Sequence, residues 1–346
     1  MVSGLNGKRI LITGANGFVG SHMVDLLTVE CPDSCLVATK RWHLSNLGNL
    51  LHLEGMIKFI DCDLTDSHAV DDTIRQIIPD YIFHFAAESF VSPSWRNPSR
   101  YMEVNYQGTV NLLESVRKHA PNCVIHIPGS GEEYGDICEN DLPITTKTAL
   151  NPVNPYAVSK VAQDLISKVY FDSYGTKVIR TRSFNHEGPR RNLVFGLPWY
   201  AYQISLAEKG LLPNNKIITG HTGDLRNFTH VSDMCRAYLL AVEKCIPGDL
   251  YLVGVEQDFN VATFSDCLDD MIDLSSCSSV EREEVYTFKR PTNVPFLIAD
   301  CSKFVEATEW QPRHTLSDIL LDTLNYWREN HMRYLYPRLL NNVYPC

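Results

Sequence analysis

The chain lacks a long apolar run: no stretch of its 346 residues approaches the roughly 20 that a helix needs to cross a bilayer. Its N-terminus, MVSGLNGKRILIT, also lacks the basic segment, apolar core and cleavage site of a secretory signal. These absences argue against a membrane protein and a secreted one. We therefore expect the protein in the cytoplasm, with no membrane partner.

Paired cysteines and an excess of basic residues are missing too. The 11 cysteines form no CxxC pair and no Cys/His spacing typical of a metal site, so we interpret them as reduced core residues and predict no metal. The 31 Lys and Arg against 41 Asp and Glu give a net charge of −10. This charge argues against a nucleic-acid partner, because phosphate backbones are bound by clustered cations.

Short apolar runs alternate with longer helical segments from residue 8 onward. The strand-like runs are RILIT, CLVAT, KFIDC, YIFHFAA, CVIHIP and KVIRTRS, and residues 108–119 show helical periodicity. This alternation predicts an α/β fold with a doubly wound parallel sheet of the Rossmann type.

The pattern changes after about Asn185, where Pro, Gly and aromatic residues become more frequent. The change predicts a smaller, mixed α/β C-terminal domain that binds substrate. We assign residues 1–184 to the cofactor-binding domain, with residues 221–256 as candidates for a return to it, and residues 185–346 mainly to the substrate domain.

A glycine motif, TGANGFVG at residues 13–20, follows the first strand and precedes an apolar helix. Glycines at this spacing let the backbone turn tightly and approach a pyrophosphate, whose charge the helix N-terminus stabilises. The context favours a dinucleotide site over an ordinary glycine turn. The predicted cofactor ligands here are Gly14, Asn16, Gly17, Phe18, Val19 and Gly20.

The second strand ends in ATKR, residues 38–41, where enzymes specific for NAD usually place a carboxylate. Two cations favour the 2′-phosphate of NADP instead, although a solvated basic turn is the alternative. We predict NADP as the cofactor and Arg41 as a ligand. Further cofactor contacts are expected after the third and fourth strands, at Asp63, Leu64, Ala86 and Ala87.

The segment NPVNPYAVSK, residues 151–160, would start a helix on which Tyr156 and Lys160 share a face. A fixed ammonium beside a phenol, together with a positively charged nicotinamide, would lower the phenol pKa from about 10 and make Tyr156 a general base. The alternative is an exposed helix pair. Ser130, just past the fifth strand, could hydrogen-bond the same substrate oxygen.

Two adjacent carboxylates follow Ser130 in the segment IPGSGEEYGD, residues 127–136. Glu132 is free to face the pocket and remove a carbon-bound proton, whereas Glu133 could point elsewhere. The alternative is that both glutamates are solvated loop residues. We predict a catalytic set of Ser130, Glu132, Tyr156 and Lys160.

These residues together resemble the extended short-chain dehydrogenase/reductase family, from about Arg9 to Trp327. Within it, the chain is most similar to GDP-mannose 4,6-dehydratases and GDP-6-deoxy-4-keto-mannose reductases. FNHEGPRR, residues 184–191, resembles the NHExPRR segment of the dehydratases. RPTNV at residues 290–294 and WQP at residues 310–312 resemble the carboxyl region of both groups.

The resemblance implies catalytic roles for Ser130, Glu132, Tyr156 and Lys160, the last two also contacting the cofactor. It also implies a cofactor contact by His186, contacts of Arg190 and Arg191 with the cofactor or a neighbouring subunit, and substrate contacts by Ser89, Asn185, Arg226 and Arg290. The two last arginines would grip the diphosphate, as guanidinium groups do bidentately. A homodimer or homotetramer is implied as well, built on the helices near Tyr101 and Tyr156.

Several positions depart from the family pattern. Gly131 has no side chain at a position where the family often has Ser or Asp. The segment NLVFGLPW, residues 192–199, lacks the pair of basic residues that the GDP-mannose enzymes commonly have there. Asn227 and Asn293 stand where Asp and Glu are usual. Because of these departures, the sequence does not decide which nucleotide and which sugar the substrate contains.

The leading hypothesis is a nucleotide-sugar 4,6-dehydratase that converts GDP-mannose, or a related GDP-sugar, with internally recycled NADP. An NADPH-dependent reductase of the 4-keto sugar is the alternative. An epimerase is less favoured, because 4-epimerisation does not require a carboxylate at position 132. A catalytically silent NADP-binding scaffold would not require Ser130, Tyr156 and Lys160 together.

Overall fold

The computed structural model describes residues 4–42, 47–53, 55–256, 258–277, 280–285, 288 and 290–334. Its strands are β1 Arg9–Thr13, β2 Cys35–Lys40, β3 Lys58–Asp61, β4 Tyr81–His84, β5 Val124–Ser130, β6 Lys177–Ser183, β7 His186–Glu187, β8 Lys216–Thr219, β9 Leu225–Asn227, β10 Thr229–His230, β11 Leu250–Val253, β12 Val261–Thr263, β13 Glu281–Glu284 and β14 Phe296–Leu297. Its α-helices are α1 Phe18–Glu30, α2 Ser67–Ile77, α3 Val91–Ser94, α4 Pro98–Tyr101, α5 Gly108–His119, α6 Pro155–Tyr174, α7 Gly196–Ala207, α8 Val231–Lys244, α9 Phe264–Asp273, α10 Ser302–Thr308 and α11 Leu316–Asn330.

Seven strands form the main sheet, in the order β11-β6-β5-β4-β1-β2-β3, and every pairing is parallel. All six apolar runs singled out in the sequence lie in it, and α5 has the predicted bounds. The predicted doubly wound Rossmann-type sheet is therefore confirmed. The strand order reverses between β1 and β4, which is where open α/β sheets bind ligands.

Helices cover both faces of this sheet. Successive side chains of β1 point to opposite faces, so Ile10 and Ile12 pack with α1 and α8 while Leu11 packs with α2 and α5. This burial on both faces explains why consecutive residues of β1 are apolar.

Residues beyond β6 contribute to two regions. Helix α8 packs against α1, and β11 pairs with β6 at the edge of the main sheet. Helices α7, α9 and α11 instead surround a separate apolar core that includes Tyr202, Phe228 and Trp327. Small sheets of β8 with β13, and of β9 with β12 and β14, accompany that core.

The ten cysteines within the described residues are free thiols, and seven of them are buried. The seven agree with the interpretation as core residues, whereas Cys35 and Cys138 are exposed and Cys277 is partly buried. No helix in the described part of the chain is both long and apolar enough to cross a membrane.

Candidate active site

A cavity of about 1680 Å³ lies at the carboxyl ends of the main-sheet strands. Its walls come from the loops after β1, β2, β3, β4, β5 and β6, together with residues of the C-terminal part. Every residue that the sequence predicted for the site lines this cavity. Their individual roles remain predictions.

The glycine motif forms a tight turn between β1 and α1. Gly14 has φ 66°, and a Cβ atom there would lie 2.6 Å from the amide nitrogen of Ala86. A Cβ atom on Gly20 would lie 2.2 Å from the carbonyl oxygen of Gly14. Side chains are therefore excluded at both positions, and the loop fits a bound dinucleotide phosphate at the start of α1.

The two cations at the end of β2 differ in their surroundings. Lys40 forms an ion pair with Asp61 on β3. Arg41 is exposed at the cavity wall. Burial alone would raise the pKa of Asp63, but hydrogen bonds from Thr65 and the charges of Arg100 and Arg41 bring it below its ordinary value. Arg41 is thus the more exposed of the two cations at this wall.

Tyr156 and Lys160 lie on the first turns of α6. Lys160 is buried, and its Nζ donates to the carbonyl oxygen of Pro128 at 2.6 Å and to Oε1 of Gln163. Burial lowers the pKa of Lys160 to about 8.

Burial also raises the pKa of Tyr156 to about 12, although the hydrogen bond with Ser130 acts in the opposite direction. Among the protein's own groups, desolvation of the phenolate outweighs the interactions that lower this pKa, and the expected lowering, which includes a nicotinamide charge, stays a prediction. The positive nicotinamide of a bound cofactor is the remaining group that would lower it.

Glu132 lies on the short 3-10 turn Gly131–Tyr134, directly after β5. Its Oε2 accepts a 3.0 Å hydrogen bond from Nδ2 of Asn154, the residue that caps α6. Ser130 is the last residue of β5, and its Oγ accepts from the amide of Glu132 at 3.2 Å. A hydroxyl, a carboxylate and a phenol therefore face one cavity, which suits paired proton transfers.

The interpretation of Glu133 as a solvated loop residue is wrong. Its side chain is fully buried, and Oε2 lies 2.8 Å from Nε of Arg182. Nothing in the local sequence signals this burial, because the partner lies on β6, about fifty positions further along the chain.

The segment after β6 packs onto the start of α1. The guanidinium of Arg191 lies 3.9 Å from the ring centroid of Phe195 and 5.1 Å from that of Phe18, and its Nε pairs with Glu187 at 3.0 Å. The ring of His186 stacks on Phe18 at 5.9 Å. Burial and the charge of Arg191 lower the pKa of His186 to about 4, so this ring is neutral near pH 7.

The two arginines predicted to bind the diphosphate are placed differently. Arg226 is buried, and it donates to the carbonyl oxygens of Leu225, Pro295 and Val294 at 2.6–3.2 Å. The bonds to Val294 and Pro295 connect β9 to the segment before β14, and together the three bonds occupy much of the Arg226 guanidinium. Arg290 is exposed at the cavity wall, so it has more capacity for a ligand.

Aromatic residues that the sequence did not single out also line the cavity. They are Phe85, Phe90, Phe195, Trp199, Tyr200, Tyr238, Phe264, Phe288 and Tyr326. Those from the C-terminal part come from α7, α8, α9, α11 and the segments between helices, so no sequence spacing groups them. Within the described residues, no cluster of His, Cys, Asp and Glu is suited to a metal ion.

Residues 11–323 match the family model described as GDP-mannose 4,6 dehydratase. The protein therefore belongs to this family of nucleotide-sugar 4,6-dehydratases, within the extended short-chain dehydrogenases/reductases.

Two curated relatives are similar over nearly their whole length. The human dTDP-D-glucose 4,6-dehydratase is 28% identical, with 93% of this chain and 91% of the relative covered. The GDP-6-deoxy-D-mannose reductase of Pseudomonas aeruginosa is 27% identical, with 92% and 97% covered. The relatives thus include both a dehydratase and a reductase of nucleotide sugars.

Two solved structures share the fold. DesIV, a dTDP-glucose 4,6-dehydratase from Streptomyces venezuelae with NAD and TYD bound, superposes with a TM-score of 0.82 at 27% identity, covering 94% of this chain and 99% of DesIV. RMD from Pseudomonas aeruginosa complexed with NADPH gives 0.80 at 26%, covering 93% and 99%. The site thus belongs to a family whose members bind a nicotinamide cofactor.

Proposed function

We propose that this protein is an NADP-dependent 4,6-dehydratase that converts GDP-mannose, or a related GDP-sugar, to its 4-keto-6-deoxy form. The observation that carries the proposal is the position of Glu132. Its carboxylate lies in the same cavity as Ser130, Tyr156 and the glycine loop, held by the amide of Asn154. Simple oxidation or reduction at C4 needs no such base, whereas elimination of water across C5 and C6 does.

The cofactor supplies reversible hydride transfer, from C4 at the start and to C6 at the end, so no external reductant is consumed. Tyr156, assisted by Ser130, takes the proton of the C4 hydroxyl as the C4 ketone forms. The ketone makes the C5 hydrogen acidic, and Glu132 would remove that proton and pass it to the C6 hydroxyl, which leaves as water. When hydride returns to C6, C5 would take up a proton again from Glu132 after exchange with solvent. Lys160, fixed by Pro128 and Gln163, supplies positive charge near the phenolate.

Two features support NADP over NAD. The loop after β2 carries Arg41 at the cavity wall, and it has no carboxylate at the position that usually bonds the ribose hydroxyls. The solved relatives contain either cofactor, so this preference rests on Arg41.

The GDP-sugar is favoured by the NHEGPRR segment and by the description of the family model. Because the relatives include dTDP-glucose dehydratases, dTDP-glucose is the alternative substrate. Turnover of GDP-mannose and dTDP-glucose, compared at equal concentration with catalytic NADP⁺, tests the choice. We expect a higher kcat/KM for GDP-mannose, and a preference for dTDP-glucose would contradict the proposal.

A reductase is the second candidate, favoured by the relative from Pseudomonas aeruginosa. Glu132→Gln separates the two functions: it would abolish water elimination, but would only weaken reduction of a 4-keto sugar. Glu139→Gln, the same substitution at an exposed position seven residues further on, is the control. Near-full conversion of GDP-mannose by Glu132→Gln would overturn the dehydratase assignment.

We also infer that the protein forms a homodimer or homotetramer through α6. Val158, Leu165 and Val169 lie on one face of this helix, and each is 46–50% exposed. Light scattering should give a mass of at least two chains, and Leu165→Glu should halve it.

A further inference from the structure

Charged side chains lie buried directly beneath the catalytic turn. Arg182 is at their centre: its Nε lies 2.8 Å from Oε2 of Glu133, its Nη2 lies 2.6 Å from Oδ2 of Asp164, and its Nη1 donates to the hydroxyl of Tyr134 at 2.9 Å. Arg180 pairs with the other oxygen of Asp164 at 2.9 Å. No step of the proposed reaction uses these residues, so their presence needs another explanation.

Glu133 connects this network to the catalytic residues through the backbone. Its Oε1 accepts a 2.7 Å hydrogen bond from the amide of Ser130, and Oγ of Ser130 accepts from the amide of Glu132. The two side chains form a capping box that fixes the turn Gly131–Tyr134. A shift of Glu133 would therefore move Ser130 and Glu132 together.

Gly129 leaves the space that Glu133 occupies. A Cβ atom on Gly129 would lie 2.4 Å from Oε1 of Glu133 and 2.9 Å from the carbonyl oxygen of Thr181. Any larger residue would expel the carboxylate from its place under Ser130. The small residue and the buried acid are thus matched to each other.

Glu133 also acts on Lys160. The negative groups that face this ammonium are Glu133 from the turn and Asp164 from the same helix, and both oppose the loss of its charge. His84 on β4 and His126 on β5 face it as neutral rings, because burial and the charge of Lys160 lower the pKa of each to about 3.

We propose that Glu133 is a positioning residue of the active site, which fixes the turn carrying Ser130 and Glu132 and keeps Lys160 charged, with Arg182 and Asp164 as its supports. The inference rests on the proposed function, since a charged Lys160 matters because Tyr156 must lose its proton. The ammonium would add its positive charge to that of the nicotinamide in stabilising a phenolate at this site.

Glu133→Gln tests the proposal, because glutamine keeps an acceptor for the Ser130 amide but has no charge. We expect kcat at pH 7 to fall about tenfold. We also expect the alkaline limb of its pH profile to move down by about one pH unit, since a nearby opposite charge stabilises an ammonium. Glu208→Gln is the control: Glu208 pairs with Arg328 outside the cavity, and this variant should keep the wild-type profile. A folded Glu133→Gln with wild-type kcat and alkaline limb would overturn the proposal.

Asp164→Asn provides a second test if Glu133→Gln fails to fold. It removes a negative charge near Lys160 without removing the acceptor of the Ser130 amide, so the alkaline limb should move down. An unmoved alkaline limb would contradict the role of the network in keeping Lys160 charged.

A substrate-free measurement separates this inference from the proposed function. Titration of the lysine side chains by ¹⁵N NMR, with Lys160→Met to assign the signal, should show Lys160 losing its proton at lower pH in Glu133→Gln than in wild type. Identical titrations would refute the inference. Wild type that converts no nucleotide sugar would refute the proposed function, while the NMR result would still decide the role of Glu133.

Discussion

Asn154 donates a hydrogen bond from Nδ2 to Oε2 of Glu132 at 3.0 Å. Oδ1 of the same side chain accepts from the amide of Ala157 at 2.8 Å and so caps α6. One amide therefore joins the helix that carries Tyr156 to the turn that carries Glu132. The two groups proposed to move protons at adjacent sugar carbons are fixed relative to each other through this side chain.

Replacing Asn154 should separate the capping role from the orienting role. Serine can still cap α6 but cannot reach Glu132 with an amide, so Asn154→Ser should lower kcat about tenfold while the free energy of unfolding changes by less than about 0.5 kcal/mol. Asn154→Ala should lose both functions and about 1 kcal/mol of stability. Steady-state kinetics and urea denaturation measure the two effects. Wild-type kcat in Asn154→Ser would refute the orienting role.

Arg41 should determine the preference for NADP⁺ over NAD⁺. Arg41→Ala removes a charged donor from the proposed 2′-phosphate site, so the Kd for NADP⁺ should rise about tenfold while the Kd for NAD⁺ stays nearly constant. Lys40→Ala is the matched control, because Lys40 is paired with Asp61. Calorimetric titration of each variant with NADP⁺ and with NAD⁺ measures both Kd values. Equal losses for NADP⁺ and NAD⁺ would contradict the assignment.

Gly135 should tolerate no side chain, because it ends the catalytic turn with φ 65° and its Cβ would lie 1.6 Å from the carbonyl oxygen of Asn151. Gly135→Ala should lower the free energy of unfolding by more than about 3 kcal/mol, since steric overlap adds to the left-handed conformation. Gly175 has φ 69° with no atom within 4 Å, so Gly175→Ala should cost only about 1 kcal/mol. Similar losses in the two variants would show that the close contact is unimportant.

The protein should lose stability on mild acidification, because burial lowers the pKa of five histidines to about 3 or 4. They are His22, His84, His126, His186 and His230. Each is neutral in the folded protein but protonated in the unfolded chain below about pH 6.5. The unfolded state therefore binds more protons, and the free energy of unfolding decreases as the pH is lowered.

Two carboxyl groups act in the opposite direction. Burial raises the pKa of Glu133 and of Glu187 to about 7, which favours the folded state as pH falls toward 4.5. Five histidines outweigh two carboxyl groups, so the free energy of unfolding should be lower by about 3 kcal/mol at pH 5.5 than at pH 7.5. Urea denaturation at both pH values checks the sign. Equal or greater stability at pH 5.5 would contradict the assigned protonation states.

The sequence predicted the features that depend on local pattern. The apolar runs of the parallel strands and the glycine turn at residues 13–20 are read within short windows, because a buried strand must be apolar and a tight turn needs glycine. The shared helix face of Tyr156 and Lys160 could be predicted too, because residues four positions apart lie one turn apart.

Features that join distant segments could not be read in this way. The local sequence around Glu133 indicates a surface residue, but the pairing of β5 with β6 places Arg182 beside it. The sequence likewise indicates that Lys40 could bind a phosphate, but β3 brings Asp61 into an ion pair with it. Arg226 resembles a ligand residue, yet its guanidinium bonds the backbone before β14. In each case the partner is brought close by strand pairing, which single-sequence periodicity does not encode.

The most direct test of the central claim is mass spectrometry of GDP-mannose incubated with the purified protein and catalytic NADP⁺ in D₂O, without added reductant. The proposed mechanism predicts a product that has lost one water and carries one deuterium at C5, because Glu132 exchanges its proton with solvent while the hydride moves within the sugar. Unchanged GDP-mannose, or conversion only with stoichiometric NADPH, would contradict the assignment as a GDP-mannose 4,6-dehydratase.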